Sequence, residues 1–480
     1  MLGKWACAGL LALSHLHFVS GKFLVVVGGE FGGIVTGKTS GYLVTHVPEG
    51  SALSPNFKFL ALDAGELLNG LHACMAAGTK VKEPCATLMS MVPAGTARPN
   101  VLEAAYTALR DKLAGVFISH APLDHVAGLA MTCPNFEMRN LPVFGRSLVI
   151  DHMQKSVFNN IIFPDLTYGG VIWKMMADRK KSKDVKSQMK YYELTQDRCL
   201  PDQDDSTEHC YKGAAPSDAR KYTPLDNKAV SPLKPSATLN IPAAEAGAEL
   251  EEIPGTGMKV LASYSLEHFV GGVREGSSAV LIGSVPAQAG GETEELLYFG
   301  DHGPVNNDIS QVANWQKNMR AIFKDVCLNH LVAGKLKGIF TEVSYDNSAG
   351  MLFNHLTPKL LRTFLVTIQT SCNEWVMAVG AGTAPPLEII IGHRKPVSGT
   401  ARDVRHAFGL LDTDSLIKEQ VLSQVYGGDG GHIVAMLFKI VFAKQGDSIE
   451  VPRPDSKQQP GDTGGTKFVE VHSSLRGSKL

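Results

Sequence analysis

The chain has 480 residues, of which 44% are apolar and 19% charged, and its net charge is −1. That composition gives a globular protein ample core, but no basic footprint for nucleic acid and no field that would draw it to an acidic membrane. The 48 glycines suit a strand-rich fold whose site is carried on loops, and large two-layered folds of this length occur as one unit.

At the start, Lys4 precedes the apolar run Trp5–Leu13, and Val19-Ser20-Gly21 offers small residues for cleavage. That shape predicts a signal peptide over 1–21, too short for a membrane-spanning helix, so no stable membrane insertion is expected. Phe23–Val27 then reads as a buried strand closed by Gly28-Gly29. Gly32-Gly-Ile-Val-Thr-Gly37-Lys38-Thr39 matches the phosphate-loop pattern G-x-x-x-x-G-K-[ST]. A phosphate loop needs a helix directly after its lysine. Here Tyr42–Thr45 reads as a strand, so the segment is a glycine-rich hairpin loop.

Phe57–Leu62 is the third strand, ending at Asp63-Ala64-Gly65. Leu102, Ala105, Leu109 and Leu113 have helical spacing, and Gly115–Ser119 is a strand. That strand delivers His120-Ala-Pro-Leu-Asp124-His125 onto a loop, and a small-residue helix is expected from Val126. Imidazole and carboxylate groups gathered at one strand end are the donor types that Zn²⁺, Fe and Mn²⁺ take.

Residues 178–255 run through a lysine cluster, an acidic patch and a Pro/Ala/Ser-rich stretch, which predicts one long inserted loop. Strands resume at Lys259–Ser263, Ser278–Ile282, Glu295–Phe299, Gly338–Thr341 and Leu387–Ile391. A helix around 414–425 precedes a last strand at Ile433–Phe442, and 451–480 is a polar, flexible tail. The later apolar strands bring Asp301, His355 and His393 as further metal-ligand candidates.

The eight cysteines contain no CxxC pair, which argues against a thiolate zinc site. Loss of Cys7 with a signal peptide would leave seven, an odd number for a disulfide framework. Cys199 and Cys210 bracket an acidic loop and could pair in an oxidising compartment; most others, Cys327 and Cys372 among them, read as isolated thiols. The chain ends in Ser478-Lys479-Leu480, a peroxisomal address. Export during synthesis acts first, so the expected location is the secretory pathway or extracellular space, with the peroxisome as the alternative.

The order and wording of these motifs resemble the class II cyclic-nucleotide phosphodiesterases, whose signature is H-x-H-L-D-H followed by small residues. The likeness extends through Leu62-Asp-Ala-Gly65, Phe299-Gly-Asp301, Glu342-Val-Ser-Tyr-Asp-Asn347, His355-Leu-Thr-Pro358 and Ile391-Gly-His393-Arg-Lys395. It covers most of 22–450, taken as one domain. The resemblance implies an α/β fold, a metallo-β-lactamase-like four-layer αβ/βα sandwich. It implies hydrolysis of a cyclic nucleotide, cAMP first and cGMP second, with one or two Zn²⁺ per chain and Mn²⁺ or Fe as alternatives.

By the same resemblance, one metal is held by Asp124, His125, Asp301 and His393. His355, supported by Glu342, delivers the proton to the leaving group. The other metal keeps His120 and a share of Asp301, because Pro122 stands where the family has its second motif histidine. His268 is the candidate replacement, and His302 a weaker one because neighbours on a strand point apart. The alternative reading is a catalytically degenerate member that binds a nucleotide or a protein. A third is another hydrolase on the same fold. Oligomeric state is not legible.

Overall fold

The structure, a computed structural model, describes residues 21–32, 38–77, 81–92, 100–132, 141–166, 189–194, 223–224, 252–266, 269–270, 273–274, 276–286, 291, 293–349, 352–382, 384–395, 413–427 and 436–452. In chain order, β1 (Lys22–Gly29), β2 (Gly41–Val47) and β3 (Phe59–Ala64) lead to α1 (Leu68–Met75), α2 (Cys85–Ser90) and α3 (Val101–Lys112). Next come β4 (Leu113–Phe117), α4 (Leu123–Thr132), β5 (Leu141–Gly145), α5 (Ser147–His152), β6 (Met189–Glu193) and β7 (Thr223–Pro224). The second half opens with β8 (Met258–Leu266), a two-residue-per-strand hairpin of β9 (Phe269–Val270) and β10 (Val273–Arg274), β11 (Ser277–Ser284) and β12 (Glu295–Phe299). It closes with α6 (Ile309–Val326), β13 (Leu336–Glu342), α7 (Pro358–Ser371), α8 (Asn373–Gly380), β14 (Leu387–Gly392), α9 (Thr413–Tyr426), β15 (Phe438–Phe442) and β16 (Ser448–Val451).

Two mixed sheets carry the fold. One runs β16-β1-β2-β3-β4-β5-β6-β7 and the other β15-β14-β13-β12-β11-β8. Their inner faces meet through Val25, Val44, Leu62, Phe117, Val280, Tyr298, Phe340 and Ile390. The outer face of the first sheet packs on α1 to α5, and that of the second on α6 to α9. Sheets buried on both faces need near-continuous apolar strands, which is why β1, β3, β12 and β14 read as unbroken apolar runs. This is the four-layer αβ/βα sandwich that the resemblance implies.

Local chemistry sets the ends of the elements that matter. Thr357 caps α7 by accepting from the Leu360 N–H at 3.3 Å, and Pro358 begins the helix, so the chain straightens into His355 just before it. β3 with β4, and β12 through β14, run parallel, so their carboxyl ends gather on one edge of the sandwich. Loops at that edge are where open α/β sheets bind ligands.

Four expectations need correction. Within the supposed insertion, β6 pairs in parallel with β5, and Met189 and Tyr191 are buried against the first helical layer. Its flanking polarity hid a strand only five residues long. The motif helix begins at Leu123 rather than Val126, because the His125 N–H already bonds the Pro122 carbonyl at 2.9 Å. The last central strand starts at Phe438, after a helical turn at Met436 and Leu437, while Val451 is a buried strand residue rather than tail. Finally, Cys327 and Cys372 are bonded to each other, and Cys74 to Cys85. The packed helices bring these Cα atoms 5.3 and 6.0 Å apart, within bridging range. Residues 1–20, Cys199, Cys210, His268 and 453–480 lie outside the described residues.

β2 begins at Gly41, one residue past Ser40, and Phe31 bridges to Thr39, so the glycine-rich segment leads into a strand as expected.

Candidate metal centre

Seven side chains converge at the carboxyl edge, each placed by the end of a strand or the first turn of a helix. Asp63 is the penultimate residue of β3 and His120 follows β4, while Asp124 and His125 occupy the first turn of α4. Asp301, Glu342 and His393 sit at the ends of β12, β13 and β14. His355 joins them from the loop before α7. All are buried apart from Asp124, whose side chain is 18% exposed and forms the open side. Glycines make room for this crowding. A Cβ on Gly65 would meet the Asp124 carbonyl at 1.8 Å, and one on Gly32 would meet the His393 ring at 2.2 Å. His393 itself has a positive φ of 49°, a conformation held only where surroundings over-determine it.

Asp301 is the hub. Its Oδ2 lies 3.2 Å from His120 Nε2, 3.4 Å from His125 Nε2 and 3.5 Å from His355 Nδ1, and its Oδ1 lies 3.3 Å from His393 Nδ1. Burial works against its charge, but the four histidines outweigh it and hold the carboxyl well below its usual range. Asp124 adds a second carboxylate, 3.3 Å from His393 Nε2 and 3.9 Å from His125 Nε2. His125 Nε2 and His393 Nε2 are 3.0 Å apart.

These spacings can be tested against a cation. Ligand atoms about 2.0–2.1 Å from one tetrahedral ion lie about 3.3–3.4 Å from each other. Asp124, His125 and His393 group around that chord through Asp124 Oδ2 and the two Nε2 atoms, and Asp301 Oδ2 lies 3.4 Å from His125 Nε2, while His393 turns Nδ1 rather than Nε2 toward Asp301.

The outer hydrogen bonds agree. His125 donates from Nδ1 to Asp63 Oδ2 at 2.7 Å, which leaves Nε2 as its ligand atom. His120 Nδ1 meets Ser119 Oγ at 2.8 Å, and that hydroxyl donates on to Asp63 at 2.7 Å. His393 Nδ1 meets Ser344 Oγ at 2.9 Å, while Ser344 also contacts Glu342 Oε2. His120 and His125 therefore turn Nε2 toward Asp301 and rest Nδ1 on a protein oxygen, as metal-ligating histidines do, while His393 points Nε2 at Asp124 and His125 with Nδ1 between Ser344 and Asp301.

Asp63 anchors one side of this shell. It accepts from the Ser119 N–H at 2.7 Å and the Tyr298 hydroxyl at 2.5 Å in addition to the bonds above. Burial would raise its pKa, but His125, His120 and the Ser119 N–H outweigh burial and lower it. Burial and Asp63 together push the Tyr298 hydroxyl well above its ordinary value, so it remains a donor. Asp63 closes an apolar strand ahead of Ala64-Gly65, but with no histidine beside it the sequence alone does not mark it as a site residue.

The remaining expected residues separate cleanly. Glu342 accepts from His355 Nδ1 at 2.9 Å and from the His302 N–H at 3.0 Å, so the two residues expected to act as a pair are in direct contact. Burial opposes the Glu342 charge, but His355 dominates and brings its pKa to about 2. His302 does not turn toward the centre. Its Nε2 meets Thr341 Oγ1 at 2.9 Å, its ring stacks near Trp315, and burial takes its pKa to about 4. Pro122 is half-buried at the start of α4 and offers no ligand atom.

Comparison with known proteins follows this geometry. The family profile for cAMP phosphodiesterases class-II matches residues 53–407. A 3′,5′-cyclic-nucleotide phosphodiesterase of Aliivibrio fischeri is 25% identical over 433 residues, covering 90% of this chain and 93% of its own. A probable 3′,5′-cyclic-nucleotide phosphodiesterase of Yersinia pestis is 23% identical, covering 89% and 88%. Among solved structures, unliganded yeast PDE1 aligns with a TM-score of 0.57 at 16% identity, over 90% of this chain and 99% of that one.

Proposed function

Since the chain belongs to the class-II cAMP phosphodiesterases, we propose that it hydrolyses 3′,5′-cyclic nucleotides, cAMP before cGMP, to the 5′-nucleotide. The observation that carries this reading is the group Asp124, His125 and His393, close enough to hold one cation, with Asp301 against His125 and the His355–Glu342 pair beside it. A donor set of imidazole nitrogens and carboxylate oxygens suits Zn²⁺, with Mn²⁺ or Fe as alternatives. Bound there, the ion would stabilise charge on the phosphoryl oxygens and acidify the attacking water.

The protein's own residues supply the rest. Asp63 and Ser344 hold the imidazoles in the tautomers that present Nε2. Asp124, on the open side, is the carboxylate nearest to entering substrate and water. His355 holds a proton at Nδ1 against Glu342 Oε2, on the ring edge that faces Asp301, from which the departing 3′-oxygen can receive it. Breaking the P–O3′ bond then leaves the 5′-phosphate at the centre.

Pro122 supports a reading of one tightly held ion per chain, since His120 and Asp301 alone make too small a donor set for a second zinc. The two disulfides support a location in the secretory pathway or outside the cell. Turnover of cAMP with added Zn²⁺ or Mn²⁺, followed alongside metal content, tests the reading. Bound nucleotide without turnover under any metal would favour the degenerate, binding-only alternative.

A further inference from the structure

Of the four histidines around Asp301, His120 and His125 aim Nε2 at it, whereas His393 and His355 present Nδ1. His393 carries its Nε2 on to Asp124, while His355 holds Nδ1 against Glu342 as well as Asp301. Lys395 Nζ lies 3.0 Å from His355 Nε2.

Donor counting fixes what that contact means. An ammonium has three donors and no acceptor. At 3.0 Å the imidazole Nε2 must therefore accept, and a neutral ring then carries its proton on Nδ1. An Nε2–H tautomer would set two donors against each other.

Lys395 is firmly held for this task. Its backbone N–H donates to the Ser344 carbonyl at 3.0 Å, its Nζ donates to the Tyr345 hydroxyl at 3.2 Å, and the ammonium sits 4.9 Å from the centre of the Tyr345 ring. The Tyr345 ring meets His355 edge-on at 5.6 Å. The loops after β13 and β14 are thus stitched together on the outer side of His355.

We propose that Lys395 is a positioning residue that locks His355 in the Nδ1–H tautomer, keeping it out of the metal's donor set and keeping its proton on the edge that faces the reaction. Geometrically, Asp301, Glu342, His355 and His393 also group closely enough to hold a cation. A protonated Nδ1 cannot ligate, so Lys395 restricts the ion to the neighbouring set with Asp124 and His125. The inference rests on the phosphodiesterase reading only for its consequence in turnover; the tautomer is a property of the protein itself.

The test uses the Zn²⁺-loaded full chain labelled with ¹⁵N-histidine. Long-range ¹H–¹⁵N spectra distinguish the two tautomers, with the His355 signals assigned by their loss in His355→Gln. In the unaltered protein His355 should show protonated Nδ1 and bare Nε2. Lys395→Met should release it to a mixed or inverted tautomer and lower kcat for cAMP about 10–100-fold, with KM little changed. Lys395→Arg, still donor-only, should restore the tautomer and most of kcat. An Nε2–H tautomer in the unaltered protein would overturn the proposal, as would an unchanged tautomer and kcat in Lys395→Met. If the unaltered protein shows the Nδ1–H tautomer yet never turns over cAMP, the phosphodiesterase reading fails and the positioning role stands.

Discussion

The two halves of the centre are built differently. The half from the first sheet is contiguous: Ser119, His120, Asp124 and His125 span one strand end and one helical turn, with Asp63 holding Ser119 and His125 directly and His120 through Ser119. The half from the second sheet is dispersed, with Asp301, Glu342 and His393 each closing a separate parallel strand and His355 arriving from a loop. The compact half depends on local chain geometry and one buried carboxylate. The dispersed half depends on strand register and on the Ser344–Lys395 stitching. Pro122, which stands where the resemblance places a second motif histidine, falls in the compact half at the start of α4.

Removing one ligand from each half is the strongest way to break that contrast. His125→Ala and His393→Ala should each reduce cAMP turnover to background and strip the bound ion, because both belong to the same group with Asp124. Those losses should exceed the about 10–100-fold that changes to supporting residues cost. Assays of turnover and metal per chain decide it. Retained metal in either variant would show that the halves hold separate ions.

Changes one step further out should cost less. Asp63→Asn weakens the acceptor for His125, Ser119 and Tyr298, while Gly32→Ala drives a methyl into the His393 ring. Each should lower metal affinity by about 10–100-fold, measured by competition with a chelator. Asp63→Asn should also destabilise the metal-free protein at neutral pH. The Asp63 pKa is depressed in the fold, so its contribution is present above the unfolded value of about 3.9 and lost as pH falls through the folded one.

Pro122→His sharpens the comparison from the other side. A histidine there adds a donor next to His120 and should raise bound zinc from one toward two ions per chain, with a gain in turnover. Replacing a proline that fits its helix start should cost about 0.4–1 kcal/mol of stability. Elemental analysis and a melting curve read the two effects separately. Unchanged stoichiometry would mean that position 122 does not face His120 and Asp301.

A smaller effect is expected in protons. Burial lowers the His393 pKa, but Asp301 and the hydrogen bonds to Asp124 and Glu342 outweigh burial and raise it to about 9 in the metal-free protein. A metal must displace that proton. Calorimetry at pH 8 in buffers of different ionisation enthalpy should show proton release on Zn²⁺ binding, fading above about pH 9. Without metal the same group stabilises the fold fully below about pH 6.5, and that contribution is lost as pH rises through about 9.

The same contrast explains what could be read ahead of the structure. The compact half was legible because its donors share six positions behind an apolar strand. The strands supplying the dispersed half were legible as apolar runs, yet only the family resemblance joined Asp301, Glu342, His355 and His393 into one site. Asp63 and Ser344 escaped because a supporting role leaves no spacing pattern of its own, only contacts made across the sandwich. β6 escaped because its five residues lie in polar surroundings, and the two disulfides because helix packing, not sequence spacing, brings their cysteines together. The direction of a histidine ring is still further from sequence. His355 and His393 both lie past strand ends, and only their neighbours Lys395 and Ser344 distinguish them.

The smallest expected effect concerns the segment that looked most like a nucleotide site. In a phosphate loop the lysine reaches the phosphates, and its loss abolishes binding. Here the Lys38 carbonyl accepts from the Phe31 N–H at 2.9 Å, its ammonium lies 5.6 Å from the centre of the Phe31 ring, and β2 rather than a helix follows. Lys38→Ala should therefore leave cAMP turnover and metal content unchanged, whereas Gly32→Ala in the same segment should impair both through His393. The pair separates two uses of one glycine-rich stretch, close approach to an imidazole and capture of a phosphate. If Lys38→Ala raised KM for cAMP strongly while Gly32→Ala did nothing, the segment would be gripping the substrate's phosphate and not backing the metal ligand.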